Sequence, residues 1–179
     1  KRASLDHIKG ELERVYFSQG RYDATITVNN IAKPRNRVAI EVKINEGESA
    51  QIAAINILGN KAFSDKELLK LMQSKSTHFT SFFKSDDKYA RERLMGDLET
   101  LRSFYLDQGY INFAIASHQV TLSQDKKKVF IDISLTEGEK YQFGDIKLFG
   151  EIPINEQELQ KLFLIKTGKD YSQQLVTTS

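Results

Sequence analysis

The chain has 179 residues, 28% of them charged, a formal net charge of +2 and no cysteine. That length accommodates one or two domains, and the missing thiols exclude disulfide frameworks, cysteine nucleophiles and Cys-ligated zinc. So small a net charge argues only weakly for polyanion partners, and no apolar run approaches the roughly 20 residues of a membrane-spanning helix.

Ser4 precedes Leu5, Ile8, Leu12 and Val15, a spacing that predicts an amphipathic helix with a serine N-cap, closed by Gly20. Tyr22, Ala24, Ile26 and Val28 then alternate with Asp23, Thr25, Thr27 and Asn29, the period of a half-buried strand. After Pro34-Arg35-Asn36-Arg37 the alternation resumes at Val38, Ile40, Val42 and Ile44, which completes a hairpin. A short strand over 51–58 ends at the turn signal Gly59-Asn60, and Ser64 with Glu67 forms a capping box ahead of Leu68, Leu69, Leu71 and Met72. Beyond a loop over 74–84, a longer helix is predicted over 86–108, with Tyr89, Leu94, Leu98, Leu101 and Tyr105 on one face and Gly109 at its end. Ile111, Phe113 and Ile115 begin the next strand. The turn over 123–128 leads to a return strand carrying Val129, Ile131, Ile133 and Leu135. Asn155 and Glu158 repeat the capping spacing before Leu159, Leu162 and Phe163.

Much of this is said twice. Glu46-Gly47-Glu48 and the segment 55–59 reappear as Glu137-Gly138-Glu139 and 146–150, both displaced by 91 positions (46 to 137, 55 to 146). Leu12-Glu13 and Gln19-Gly20 likewise answer Leu98-Glu99 and Gln108-Gly109. The repeating unit is strand, helix, helix, strand, strand, an α+β fold with a three-stranded sheet and two helices on one face. The other face then carries the polar set Thr25, Thr27, Glu41, Lys43, Asp132 and Ser134. Residues 1–46 supply the last helix and hairpin of one unit, 47–138 a complete unit, and 139–179 the first strand and helix of a third. The text starts within a unit, as a segment of something longer would. The two end pieces retain what the other lacks, so two chains could complete each other head to tail.

His7, His78 and His118 lie on different elements with no two at ligand spacing, and neither a metal nor a cofactor site is expected. Glu46, Glu48, Glu137 and Glu139 read as turns between units rather than catalytic carboxylates, and Asp86-Asp87 as a helix N-terminus. Lys126-Lys127-Lys128 and Arg35-Asn36-Arg37 occupy corresponding hairpin turns, and no aromatic residues interleave with them as single-stranded nucleic acid would need. Phe79, Phe82 and Phe83 either plug the end of a core or form an apolar patch for a partner. The strand Ile111, Asn112, Phe113, Ala114, Ile115, Ala116, Ser117 is an edge strand with small outward residues. It can admit a further strand by β-augmentation or stand as a passive, covered edge.

The run Leu98-Glu99-Thr100-Leu101-Arg102-Ser103-Phe104-Tyr105-Leu106-Asp107-Gln108-Gly109-Tyr110, with Thr136-Glu137-Gly138 and Pro34-Arg35-Asn36-Arg37-Val38, resembles the polypeptide-transport-associated (POTRA) repeats of outer-membrane protein assembly factors. The resemblance covers the whole chain: the latter part of a second repeat, all of a third and the first part of a fourth. It implies serial β-α-α-β-β repeats in the periplasm of a Gram-negative bacterium, with membrane contact made only by a C-terminal barrel that this chain lacks. It also implies assembly-machinery lipoproteins as partners, a propeller-shaped one among them, and unfolded outer-membrane proteins as clients. In that family the second strand is the exposed edge, which corresponds here to 111–117 and, in the first piece, to Tyr22, Ala24, Ile26 and Val28. A non-enzymatic scaffold that binds by β-augmentation follows. The competing reading is a nucleic-acid or anionic-lipid module that uses the basic turns, whose binding would collapse with salt.

Overall fold

The computed structural model describes residues 2–76, 87–147 and 165–178. In chain order these form α1 (Arg2–Ser18), β1 (Thr25–Lys33), β2 (Arg37–Asn45), β3 (Gln51–Leu58), α2 (Asp65–Leu71), α3 (Arg91–Asp107), β4 (Ala114–Leu122), β5 (Lys128–Thr136) and α4 (Gln173–Thr178). β1 and β2 make an antiparallel two-stranded sheet, while the second sheet has the order β3-β5-β4. The fold is thus α+β, with a three-stranded sheet and helices. Residues 77–86 and 148–164 lie outside the described residues, and with them His78, Phe79, Phe82, Phe83, Asp86, Asn155 and Glu158.

The chain divides into two compact units, one formed by 1–56, 73–97 and 119–132, the other by 57–72, 98–118 and 133–179. The first buries Ala24, Ile26, Ala50, Ile52, Tyr89, Leu94, Val129 and Ile131; the second buries Ile57, Leu68, Met72, Leu98, Leu101, Tyr105, Phe113, Ile133 and Leu135. Along β5, Val129, Ile131, Ile133 and Leu135 are buried while Phe130 is exposed, so the strand has one covered and one open face. On the open face Asp132 accepts a hydrogen bond from Asn56 Nδ2 (2.7 Å), a cross-strand polar pair. On β2 it is the apolar face, the one that Ile26 shares across the ladder, that is open at its start: Val38 and Ile40 are 57% and 53% exposed, and α1 packs on β1.

Several local expectations shift by a few residues, each for a physical reason. α1 begins at Arg2, which places Ser4 inside the first turn rather than at the cap. α2 carries the expected capping box: Ser64 Oγ accepts from Glu67 N, and Glu67 Oε2 accepts from Ser64 N (2.8 Å). α3 starts at Arg91, so Asp87 precedes the helix instead of capping it, and its carboxylate accepts from Gln51 Nε2 (3.2 Å). Both strands that follow a helix-ending glycine start later than their alternation suggests. Ala24 N donates to Arg21 O (3.2 Å) and Phe113 N to Tyr110 O (3.0 Å), closing a turn before the ladder begins.

Two buried carboxylates that sequence patterning does not reveal organise the core. Asp97, on α3, accepts from Gln73 N (2.5 Å) and Ser74 N (2.9 Å), satisfying amides just beyond α2. Glu137, in the turn after β5, accepts from Lys61 N (2.9 Å), from Ala62 N (3.1 Å) and from the Tyr105 hydroxyl (2.8 Å). The Tyr105 ring is fully buried, stacked on Phe113 at 4.2 Å and edge-on to Phe63 and Tyr110.

Because Tyr105 OH donates to a buried Glu137 oxygen, Tyr105→Phe should cost about 1–3 kcal/mol in urea unfolding, and Glu137→Ala, which orphans three donors, should cost more. Burial, followed by the hydrogen bond to Glu137, raises the Tyr105 phenol above the usual tyrosine range. Burial, followed by Tyr89, pushes Tyr22 up to about 12. A phenol whose pKa rises on folding contributes stability that is complete below the unfolded value and is lost as pH climbs through the folded one. The guanidinium unfolding midpoint should therefore fall between about pH 10 and 12, and Tyr22→Phe should lessen the fall.

Candidate functional site

β4 lies at the border of its sheet, with β5 on one side and no strand on the other among the described residues. Its nine residues, Ala-Ile-Ala-Ser-His-Gln-Val-Thr-Leu, include no Lys, Arg, Asp, Glu or Pro. Those are the residues by which native edges are usually protected against further pairing. Ile115, Val120 and Leu122 are half-buried and the other six are exposed. The opposite border, β3, is less available: Ile52 and Ile57 are buried, Gln51 is bridged antiparallel to Lys88, and Tyr89 N donates to Ala50 O (2.9 Å).

The residues proposed from sequence divide into two groups. Ala114, Ile115, Ala116 and Ser117 belong to the edge strand. Ile111, Asn112 and Phe113 do not, because the turn that Phe113 N closes on Tyr110 O holds them ahead of the ladder. Ile111 is exposed; Asn112 donates from Nδ2 to the Tyr141 hydroxyl (3.1 Å); Phe113 is 3% exposed and inserts its ring beside Tyr105. In exchange the edge continues through His118, Gln119, Val120, Thr121 and Leu122. The sequence signal for that extension is the lack of any Gly, Pro, Asn or Asp between Ala114 and Ser123.

The secondary edge behaves the same way. Ile26 and Val28 lie on β1, but Tyr22 and Ala24 precede it. Tyr22 packs between Phe17 (ring centroids 5.8 Å apart) and Tyr89 (6.4 Å), and Ala24 is buried. The two basic turns are tightly organised. Arg35 and Asn36 adopt φ of 64° and 54°, and Lys126 adopts 58°. Ser123 Oγ donates to Asp125 (2.6 Å) and Lys127 N donates to the same carboxylate (3.1 Å); the Ser123 bond, then the Lys127 bond, hold that carboxyl below its usual pKa. Lys127 and Lys128 thus neighbour an anion supplied by the turn itself. A cleft of about 410 Å³ beside Gln51 is lined by Arg21, Asp23, Glu48, Lys88 and Lys127 and holds neither His nor Cys. Among the described residues no three His, Asp or Glu side chains converge as a metal site would require.

A family model described as POTRA, surface antigen variable number repeat, matches residues 50–138. The outer membrane protein assembly factor BamA of Neisseria meningitidis serogroup B is 30% identical over 176 residues, 98% of this chain and 22% of that protein. BamA of Buchnera aphidicola subsp. Acyrthosiphon pisum is 33% identical over 157 residues, 88% of this chain and 25% of that protein. The chain therefore spans a quarter or less of the length of these relatives. The crystal structure of POTRA3-5 of Haemophilus influenzae BamA aligns with a TM-score of 0.55 at 16% identity, covering 97% of this chain and 65% of that one, a likeness of fold.

An open edge has a signature in amide exchange. Successive N–H groups of β4 point alternately toward β5 and away from it, so amides 114–122 should alternate between slow and fast exchange while those of 129–135 are all slow. Uniform protection along β4 would mean that this border is covered.

Proposed function

The chain belongs to the POTRA family, and from that premise we propose that it is a non-enzymatic scaffold segment of the outer-membrane β-barrel assembly machinery, working in the periplasm of a Gram-negative bacterium. Its sheet edges take up extended segments of unfolded outer-membrane proteins and loops of accessory lipoproteins by β-augmentation. The segments 1–46, 47–138 and 139–179 act as the end of one repeat, a whole repeat and the start of the next. What supports this reading is β4, an exposed border strand with neither charge nor proline along its length.

The energetics suit a permissive receptor. About four residues of the strand turn their backbone groups outward, and each backbone hydrogen bond contributes a net of about 0.5–1.5 kcal/mol. The sum of roughly 2–6 kcal/mol stands against an association cost of about 4–15 kcal/mol, so one edge holds a guest weakly. Several repeats engaging one chain raise the effective concentration and with it the affinity. Main-chain pairing also explains how one surface serves many sequences.

An NMR titration with a peptide from an outer-membrane β-strand should shift amides 114–122, with a dissociation constant in or above the range of about 1 mM. Ala116→Pro and Ser117→Pro delete neighbouring N–H groups, one facing β5 and one facing outward. Whichever variant keeps its fold by circular dichroism should lose peptide binding. Binding that persists in a folded variant, or that vanishes between low and high salt, would replace edge pairing with the basic turns as the contact.

A further inference from the structure

β4 carries a single ionisable side chain, His118, and it stands at the middle of the strand, between Ala-Ile-Ala-Ser and Gln-Val-Thr-Leu. The residue is exposed. Among the described residues its imidazole makes no hydrogen bond, ion pair or ring contact.

The charged groups on the surrounding elements are engaged elsewhere. On β5, the strand paired with β4, Asp132 accepts from Asn56 Nδ2, and Lys128 neighbours the Asp125 carboxylate. On α3, Glu99 pairs with Arg102 (3.9 Å), Asp97 and Asp107 accept from backbone amides, and the Tyr105 phenol serves Glu137. Arg93 donates to Lys88 O (3.1 Å), and Arg91 and Glu92 stand in the first turn of that helix. Beyond β5, Lys140 pairs with Asp170 (2.7 Å). No carboxylate or cation of the described chain is paired with His118, so a strand added at this border brings the first partner that its imidazole meets.

Backbone pairing does not distinguish one guest from another, but directly opposed side chains do. In an antiparallel pair they lie about 5 Å apart on one face of the sheet; opposite charges there favour pairing and like charges oppose it. Histidine is the side chain whose ordinary change of charge falls between about pH 5 and 8. We propose that His118 is the charge-reading position of this edge. Neutral, it leaves acceptance to the main chain; protonated, it favours guest strands that set Asp or Glu opposite it over those that set Lys or Arg there. The inference rests on the edge-pairing reading and gives the border a selectivity that main-chain pairing lacks.

The test is an NMR titration of the unaltered chain and of His118→Gln at about pH 7.5 and about pH 5.5, with strand peptides that carry either Glu or Lys at every second position. The charges on Asp, Glu, Lys and Arg change little between these two values, so the difference between them isolates histidine. In the unaltered chain the affinity for the Glu peptide relative to the Lys peptide, read from amides 114–122, should rise at least about twofold on acidification. In His118→Gln, which keeps a polar side chain of similar reach without the charge, the ratio should hold constant. A ratio that stays constant in the unaltered chain, or that rises equally in the variant, overturns the role of His118 and leaves edge pairing in place. If neither peptide shifts those amides at either pH, edge pairing itself falls and the role of His118 with it.

Discussion

A helix can stop directly against another piece of backbone only where its last residue carries no side chain and can turn left-handed. Gly20 and Gly109 meet that condition, and the rest of the architecture follows from it. The reversal brings Arg21 N back to Tyr16 O and Tyr110 N back to Tyr105 O, aims the chain into the next strand after one short turn, and leaves the glycine carbonyl free to receive an amide from far along the sequence. Local helix termination and long-range joining are thus one event in this chain.

The second constraint is electrostatic. A buried carboxylate would be costly if left alone, yet Glu137 accepts from two amides and a phenol, so its burial aligns the loop after β3, the end of α3 and the turn after β5. The pattern recurs in outline at Glu46, which accepts from the Tyr16 hydroxyl (3.2 Å) and lies near Arg21. Reuse of a Tyr–Glu contact in successive copies shows that the duplicated text carries tertiary as well as secondary information.

Periodicity is enough to find α1, α2 and α3, the hairpins, the capping box of Ser64 and the covered face of β5, because each depends on neighbours in sequence; α4 has no such pattern and is not expected from it. The border strand was legible as an element but not in its limits. Ile111, Phe113 and Ile115 alternate as a strand does, and only the packing of Phe113 on Tyr105 shows that the first two precede the ladder. Asp97 and Glu137 escaped for a related reason: their partners at Gln73, Ser74, Lys61 and Ala62 are main-chain amides, which leave no trace in residue type. Asp87 looked like a helix cap because an acidic pair before a periodic run ordinarily is one, whereas here its carboxylate is taken by Gln51.

The uncharged character of β4 reaches beyond any single encounter. In the proposed role, a border that reads peptide groups rather than side chains imposes no residue-by-residue correspondence on what it receives, so guest proteins can drift in sequence without compensating change in the host. In that proposed role selection acts to keep the border free of charge and proline, and the repertoire it serves can diversify while the host stays the same.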